Sequence, residues 1–171
     1  MPAPTSPRIG RLHVLTDVRL QTRHSHAALA ALAALGGADT VQFRHKGGPT
    51  GERWALLGPT AEACRRAGVP LLVDDHVDLA LAAGTAGVHV GQDDLPVDVA
   101  RRLLGPDAVI GATATTAEQA VAAEQAGASY VGFGPVFATA SKADPASVKG
   151  LAGLAEACAT VRVPVVAIGG I

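Results

Sequence analysis

Three side chains spaced two residues apart, Gln42, Arg44 and Lys46, can all donate hydrogen bonds, and two of them carry positive charge. In the stretch Thr40-Val41-Gln42-Phe43-Arg44-His45-Lys46 they fall on one face of a strand, with Val41 and Phe43 on the other. Gly47-Gly48-Pro49 follows, so such a strand would end by delivering its donors to a polar opening. An antiparallel strand with a solvated polar face is the plainer alternative.

Acidic residues recur at comparable places. Asp74-Asp75 ends one apolar stretch and Asp93-Asp94 follows the next. Carboxylates clustered at neighbouring strand ends either share a proton or hold a hard cation. Mg2+ takes one or two carboxylates, keeps several waters and completes its shell with substrate phosphates. Arg44, Lys46 and Lys142 are the cations suited to a diphosphate, and acid for metal beside base for phosphate describes a diphosphate site, with Asp75 and Asp94 as candidates for the metal. Asp78 and Asp93 read as solvated helix-start residues favoured by the helix dipole. In Gly134-Pro135-Val136-Phe137-Ala138-Thr139-Ala140-Ser141-Lys142, the hydroxyls of Thr139 and Ser141 can donate to a phosphate and Lys142 adds charge.

These residues need elements to place them, and the chain alternates strand-like with helix-like segments. Strands are expected at 12–16, 40–43, 69–73, 87–91, 108–112, 129–133 and 164–168. Helices are expected at about 24–35, 52–67, 77–83, 97–104, 116–126 and 151–160, several of them closed by glycine. Alternation of this kind implies a parallel sheet covered by the chain's own helices. Asp17, Gln42, Arg44, Lys46, Asp74, Asp75, Gln92, Asp93, Asp94, Thr113 and the 134–142 loop all sit at C-terminal strand ends. Contributions from nearly every strand favour a TIM (β/α)8 barrel over an open doubly wound sheet, which gathers ligands at one switch point. The chain is read as a loose tail over 1–11 and one barrel domain over 12–171, ending after the seventh strand without the seventh helix or the eighth strand and helix, since such barrels run to roughly 200 residues or more.

Composition narrows the function classes. With Lys+Arg 14 against Asp+Glu 15 in 171 residues, the formal charge is -1, so no global field recruits nucleic acid or an anionic membrane. No apolar run approaches the roughly 20 residues needed to span a bilayer. Cys64 and Cys158 lie far apart in helix-like stretches and read, like Trp54, as packing residues, so a cytoplasmic location is expected. A homo-oligomer is left open. Among the histidines, His13 starts a strand, His24 and His26 precede a helix, His45 and His89 alternate away from the donor faces, and His76 reads as a helix-start residue beside the acidic pair.

The ordered motifs VQFRHK, VDD, GQDD, GPVFATASK and IGGI resemble the thiamine phosphate synthase family from about Leu12 to Ile171. The resemblance implies that Gln42, Arg44 and Lys46 bind an aminopyrimidine diphosphate, that Asp75 and Asp94 hold Mg2+, and that Asp74 contacts the pyrimidine. It places Thr113 in the loop after the fifth strand as a substrate hydroxyl. Thr139, Ser141 and Lys142 match the thiazole-phosphate loop, and Gly170 would receive that phosphate on backbone N–H. Implied too is a dissociative transfer in which diphosphate leaves first and the thiazole nitrogen captures a pyrimidine cation, with Arg44, Lys46 and Lys142 steadying the leaving group. The sequence departs from the family at Asp74, commonly Asn, at Thr113, usually Ser, at Ala138, where Pro is usual, and at Thr115, where His is frequent. Two rivals share the fold: a thiazole tautomerase, whose proton carrier is that histidine, and a non-catalytic phosphate-binding barrel.

Overall fold

The computed structural model describes residues 9–141 and 146–171, so Lys142 and most of the expected tail lie outside the described residues. Elements alternate throughout: β1 (His13–Thr16), α1 (His26–Leu35), β2 (Thr40–Phe43), α2 (Thr50–Ala67), β3 (Leu71–Asp74), α3 (Val77–Ala83), β4 (Gly87–Val90), α4 (Val97–Leu104), β5 (Val109–Ala114), α5 (Ala117–Gln125), β6 (Tyr130–Phe133), α6 (Gly150–Thr160) and β7 (Val165–Ala167). The strands follow one another in chain order. This is the order of an α/β fold of the TIM-barrel type. Among the described residues, no helix is long and apolar enough to cross a membrane.

Two compact units can be distinguished. The first runs to Val88 and adds Leu103–Val109; the second comprises His89–Arg102 and Ile110–Ile171. In the first, β1, β2 and β3 pair in parallel with Leu15 opposite Gln42 and Gln42 opposite Leu72. Its core is Val41, Phe43, Leu57, Leu72, Val73 and Val88, all essentially inaccessible. Ser25 caps α1, its hydroxyl accepting from Ala28 N at 3.2 Å. Gly68 closes α2 in the left-handed region at φ 69, where a side chain would be strained. Gly87 answers a different need: a Cβ there would lie 1.8 Å from the Val109 carbonyl oxygen, so only glycine lets the two segments meet.

The second unit pairs β5, β6 and β7 in parallel around Ile110, Tyr130, Val131 and Phe133. The α5 start combines two caps: Thr116 Oγ1 accepts from Gln119 N at 3.3 Å, and Gln119 Oε1 accepts from Thr115 N at 2.7 Å and Thr115 Oγ1 at 3.0 Å.

Residues 9–11 are not loose, contrary to expectation. Ile9 is buried and its carbonyl accepts from Thr40 Oγ1 at 2.6 Å, while Asp39 Oδ2 accepts from Arg11 N and Leu12 N at 2.8 and 2.9 Å. Those two backbone bonds hold the Asp39 carboxyl below its ordinary range. Ile9 supplies the apolar surface that a proline-rich context had obscured.

Candidate active site

In the first unit, strand alternation brings three donors onto one carboxylate. Gln42, Arg44 and Lys46 point the same way from β2 and its extension, and Asp74 at the end of the adjacent β3 meets all three. Gln42 Nε2 donates to Asp74 Oδ1 at 2.6 Å; Lys46 Nζ and Arg44 Nε lie 2.8 and 3.6 Å from Oδ2. Asp74 Oδ2 is buried and has no aligned hydrogen bond, so neighbouring charge compensates it instead. Burial and the nearby Asp75 push the Asp74 carboxyl up, against the pull of Lys46 and Arg44. Lys46 also pairs with Asp75 Oδ2, and Arg44 NH1 pairs with Asp17 Oδ2 at the end of β1. Burial disfavours the Lys46 ammonium, yet the Asp74 and Asp75 carboxylates hold its pKa above the usual lysine value.

Asp75 stands apart conformationally. Its φ of 61 makes it the one non-glycine residue with positive φ among the described residues. Such backbone costs about 1–2 kcal/mol and persists where surrounding structure enforces it.

The opposite side of β2 carries a directional chain of rings. Phe43 packs against His26 with centroids 4.6 Å apart. The Thr16 hydroxyl donates to Gln42 O at 3.4 Å, so it accepts from His26 Nδ1 at 2.8 Å; His26 Nε2 is then an acceptor for His45 Nδ1 at 3.0 Å. His45 Nε2 faces Glu52 Oε1 at 3.6 Å. His45 is thus pinned away from the donor face, as its strand parity suggested, and it separates Arg44 from Lys46. His26, expected only to precede a helix, opens α1 and is buried.

Burial, reinforced by His45 and opposed by Asp17 and Thr16, lowers the His26 pKa to about 4. The unfolded imidazole, at 6.5, takes a proton that the folded one refuses, so the unfolded state binds more protons between these values. The stabilisation is fully present above 6.5 and is lost as pH falls towards 4. Urea titrations across that window should show a loss of up to about 3 kcal/mol in the parent chain, with a flatter slope in His26→Gln. Equal slopes would show that His26 does not govern acid sensitivity.

In the second unit, Asp94 Oδ2 accepts from Gly91 N at 2.7 Å and Gln92 Nε2 donates to Thr113 O at 2.5 Å. Thr113 is not in a loop. Strand β5 continues to Ala114 because pairing with β6 persists through Thr113–Gly132 and Ala114–Phe133. His89 departs from expectation more sharply. Its Nε2 lies 2.9 Å from Thr113 Oγ1 and its Nδ1 2.8 Å from Tyr130 Oη, so it joins the candidate substrate hydroxyl instead of turning away from it. Gly111 and Gly132 make room for the ring: a Cβ at Gly111 would lie 2.4 Å from His89 Nδ1, and one at Gly132 2.9 Å from Cε1. That pattern of two glycines, each two strand residues from a bulky neighbour, is the signal that local parity overlooked.

The phosphate-loop residues also meet as a group. Thr139 Oγ1 and Ser141 Oγ lie 3.1 Å apart, and Ser141 N donates to Thr139 Oγ1 at 3.3 Å. Gly169 and Gly170 have φ of 92 and 72 and pack directly on this loop; Phe137 N donates to Gly169 O at 2.8 Å, and a Cβ on Gly170 would lie 2.6 Å from Ala138 O. The glycine pair therefore packs against Pro135, Phe137 and Ala138, immediately before the two hydroxyls in the chain.

Three comparisons bear on these groups. The thiamine monophosphate synthase family model matches residues 12–171. The thiamine-phosphate synthase of Salinibacter ruber is 54% identical over 99% of this chain and 75% of its own length. That of Chloroflexus aurantiacus is 47% identical over 94% of this chain and 74% of its own. Among solved structures, thiamine phosphate pyrophosphorylase from Pyrococcus furiosus superposes with a TM-score of 0.83 at 39% identity, covering 94% of this chain and 75% of the other.

Proposed function

We infer that this chain, which belongs to the thiamine monophosphate synthase family, is a transferase that joins hydroxymethylpyrimidine diphosphate to hydroxyethylthiazole phosphate, giving thiamine phosphate and diphosphate. The observation that carries the site reading is the convergence of Gln42, Arg44 and Lys46 on Asp74, because it concentrates two cations and a carboxylate acceptor at one strand end. In this reading Asp74 accepts from the aminopyrimidine while Arg44 and Lys46 turn towards the diphosphate. The leaving group gains negative charge as the carbon–oxygen bond breaks, and preorganised cations favour that charge more in the transition state than in the substrate. Lys142 is proposed to add to them. Thr139, Ser141 and the Gly170 N–H hold the thiazole phosphate, and Thr113, oriented by His89, offers a further hydroxyl. No nucleophilic serine or cysteine is required, since positioning the two substrates removes most of the entropic barrier.

Asp75 and Asp94 are the proposed Mg2+ ligands. The donor set fits in kind: both offer hard carboxylate oxygens, and Mg2+ takes one or two carboxylates and completes its shell with water and phosphate. Bound Mg2+ would supply charge neutralisation for the diphosphate. With Asp75 holding the metal, Lys46 would be free of that pair and available to the phosphate oxygens.

Thr115 supports transfer over isomerisation. It occupies the place of the tautomerase's proton-carrying histidine, and both its backbone N–H and its hydroxyl are committed to Gln119. The reading is that of a cytoplasmic enzyme of small-molecule metabolism. Purified protein supplied with both phosphorylated substrates should form thiamine phosphate, detected as thiochrome fluorescence, with Mg2+ and not with excess chelator. Folded protein without product would overturn the assignment.

A further inference from the structure

We propose that Asp17 is a positioning residue for the diphosphate site, acting through Arg44. Sequence alone marks it as a strand-end acid without a role, and none of the functions above uses it. It is only 7% exposed at the end of β1, and both its carboxylate oxygens are engaged. Oδ1 accepts from Arg19 N at 2.8 Å, which closes a local turn and fixes the carboxylate plane. Oδ2 pairs with Arg44 NH1. The Nε edge of the same guanidinium faces Asp74 Oδ2 at 3.6 Å. Arg44 is therefore flanked by carboxylates from two strands, β1 and β3, on either side of its own, with NH1 paired to Asp17, Nε facing Asp74 at ion-pair distance and NH2 left to a ligand.

The grip has an apparent electrostatic drawback. Asp17, Asp74 and Asp75 outnumber Arg44 and Lys46, so a carboxylate beside the diphosphate site repels the very anion that Arg44 is to bind. A long arginine side chain loses considerable rotamer freedom when it binds a ligand; one already held in the bound geometry does not. Asp17 repays its repulsion by holding Arg44 ready. This distinguishes positioning from a mere counter-charge, because the two roles predict opposite signs on removing the charge.

Asparagine makes the distinction without disturbing packing. It is the same size as aspartate but has one acceptor oxygen, so it cannot satisfy both Arg19 N and Arg44 NH1; its amide nitrogen must face one of these donors. If Asp17 were a simple counter-charge, Asp17→Asn would tighten diphosphate binding. As a positioning residue, its replacement weakens binding. The inference rests on the transferase reading, and the experiment separates the two.

Calorimetric binding of inorganic diphosphate with Mg2+ should be measured for the parent chain, Asp17→Asn, Asp17→Ser, Arg44→Ala and the Asp17→Asn/Arg44→Ala double variant, beside steady-state assays of thiamine phosphate formation. Serine can keep the turn bond to Arg19 N while losing reach to Arg44, which guards against a folding defect. Expected is a diphosphate affinity about tenfold weaker in both Asp17 variants, the scale of one charge-assisted hydrogen bond. KM for the pyrimidine diphosphate should rise by a similar factor and kcat should change less. The double variant should bind no more weakly than Arg44→Ala alone, because Asp17 has nothing left to position. Unchanged or tighter binding in Asp17→Asn, or additive losses in the double variant, overturns the proposal while leaving the enzyme's activity intact. Absence of thiamine phosphate from the parent chain would instead overturn the transferase reading.

Discussion

Asp75→Ala is expected to lower Mg2+-dependent thiamine phosphate formation by about a hundredfold or more at saturating Mg2+. Two separable causes act at this position. The first is chemical: the carboxylate is one of two proposed hard ligands, and a metal that neutralises a leaving diphosphate is worth several kcal/mol of transition-state stabilisation. The second is conformational, because the native φ of 61 suits aspartate, asparagine or glycine and strains alanine. Asp75→Asn isolates the first cause. Asparagine tolerates the left-handed region, so this variant should melt near the parent temperature yet lose activity like the alanine variant. Asp75→Ala should in addition lose about 1 kcal/mol of stability. Mn2+ titration followed by paramagnetic relaxation gives a readout independent of turnover, and both variants should bind the ion more weakly. Full activity with an unchanged Mg2+ requirement in Asp75→Asn would remove Asp75 from the ligand set.

The contrast between Gln42–Lys46 and His89 shows where sequence reading succeeds. Side chains on a strand alternate by local geometry, so three donors at i, i+2 and i+4 share a face whatever the rest of the fold does. Their meeting with Asp74 then needs only that β2 and β3 be neighbours, which the strand–helix alternation implies. The fold was legible for the same reason: apolar strands of three to six residues between capped helices leave few other arrangements. His89 failed because its orientation depends on empty space at Gly111 and Gly132, contributed by two other strands. Thr113 was misplaced because strand β5 ends where pairing with β6 ends, and composition does not mark that point. The Asp17–Arg44 pair was likewise hidden. Asp17 was visible as a strand-end acid, but its partner is set by the register of β1 on β2, where Thr16 stands opposite Phe43. The buried His26 was hidden too. Its place before a helix says nothing of its surroundings, whereas here Thr16, Phe43 and His45 enclose it.

Lys46→Met is expected to lower kcat/KM for the pyrimidine diphosphate by about two to three orders of magnitude, the usual scale for losing one preorganised group that stabilises developing charge. Methionine preserves most of the apolar stem, so the change is chiefly the loss of an ammonium. That ammonium is secure in the parent: Asp74 and Asp75 more than offset the burial that disfavours it, so it remains charged throughout the neutral range. Arginine is no simple substitute, since a planar fork cannot occupy the point position between two carboxylates, and Lys46→Arg should recover only part of the activity. Removing Lys46 also leaves Asp74 with fewer opposing charges. Its carboxyl, already raised by burial and Asp75, rises further, so the folded variant takes up a proton more readily than the unfolded chain does. The folded state then binds more protons, and the stability deficit of the variant shrinks as pH falls from neutral towards the carboxylate range. Thermal melts at neutral and mildly acidic pH would register that convergence, and the thiochrome assay would register the loss of turnover. Activity within threefold of the parent, together with a pH-independent deficit, would show that Lys46 serves neither the leaving group nor the buried carboxylate.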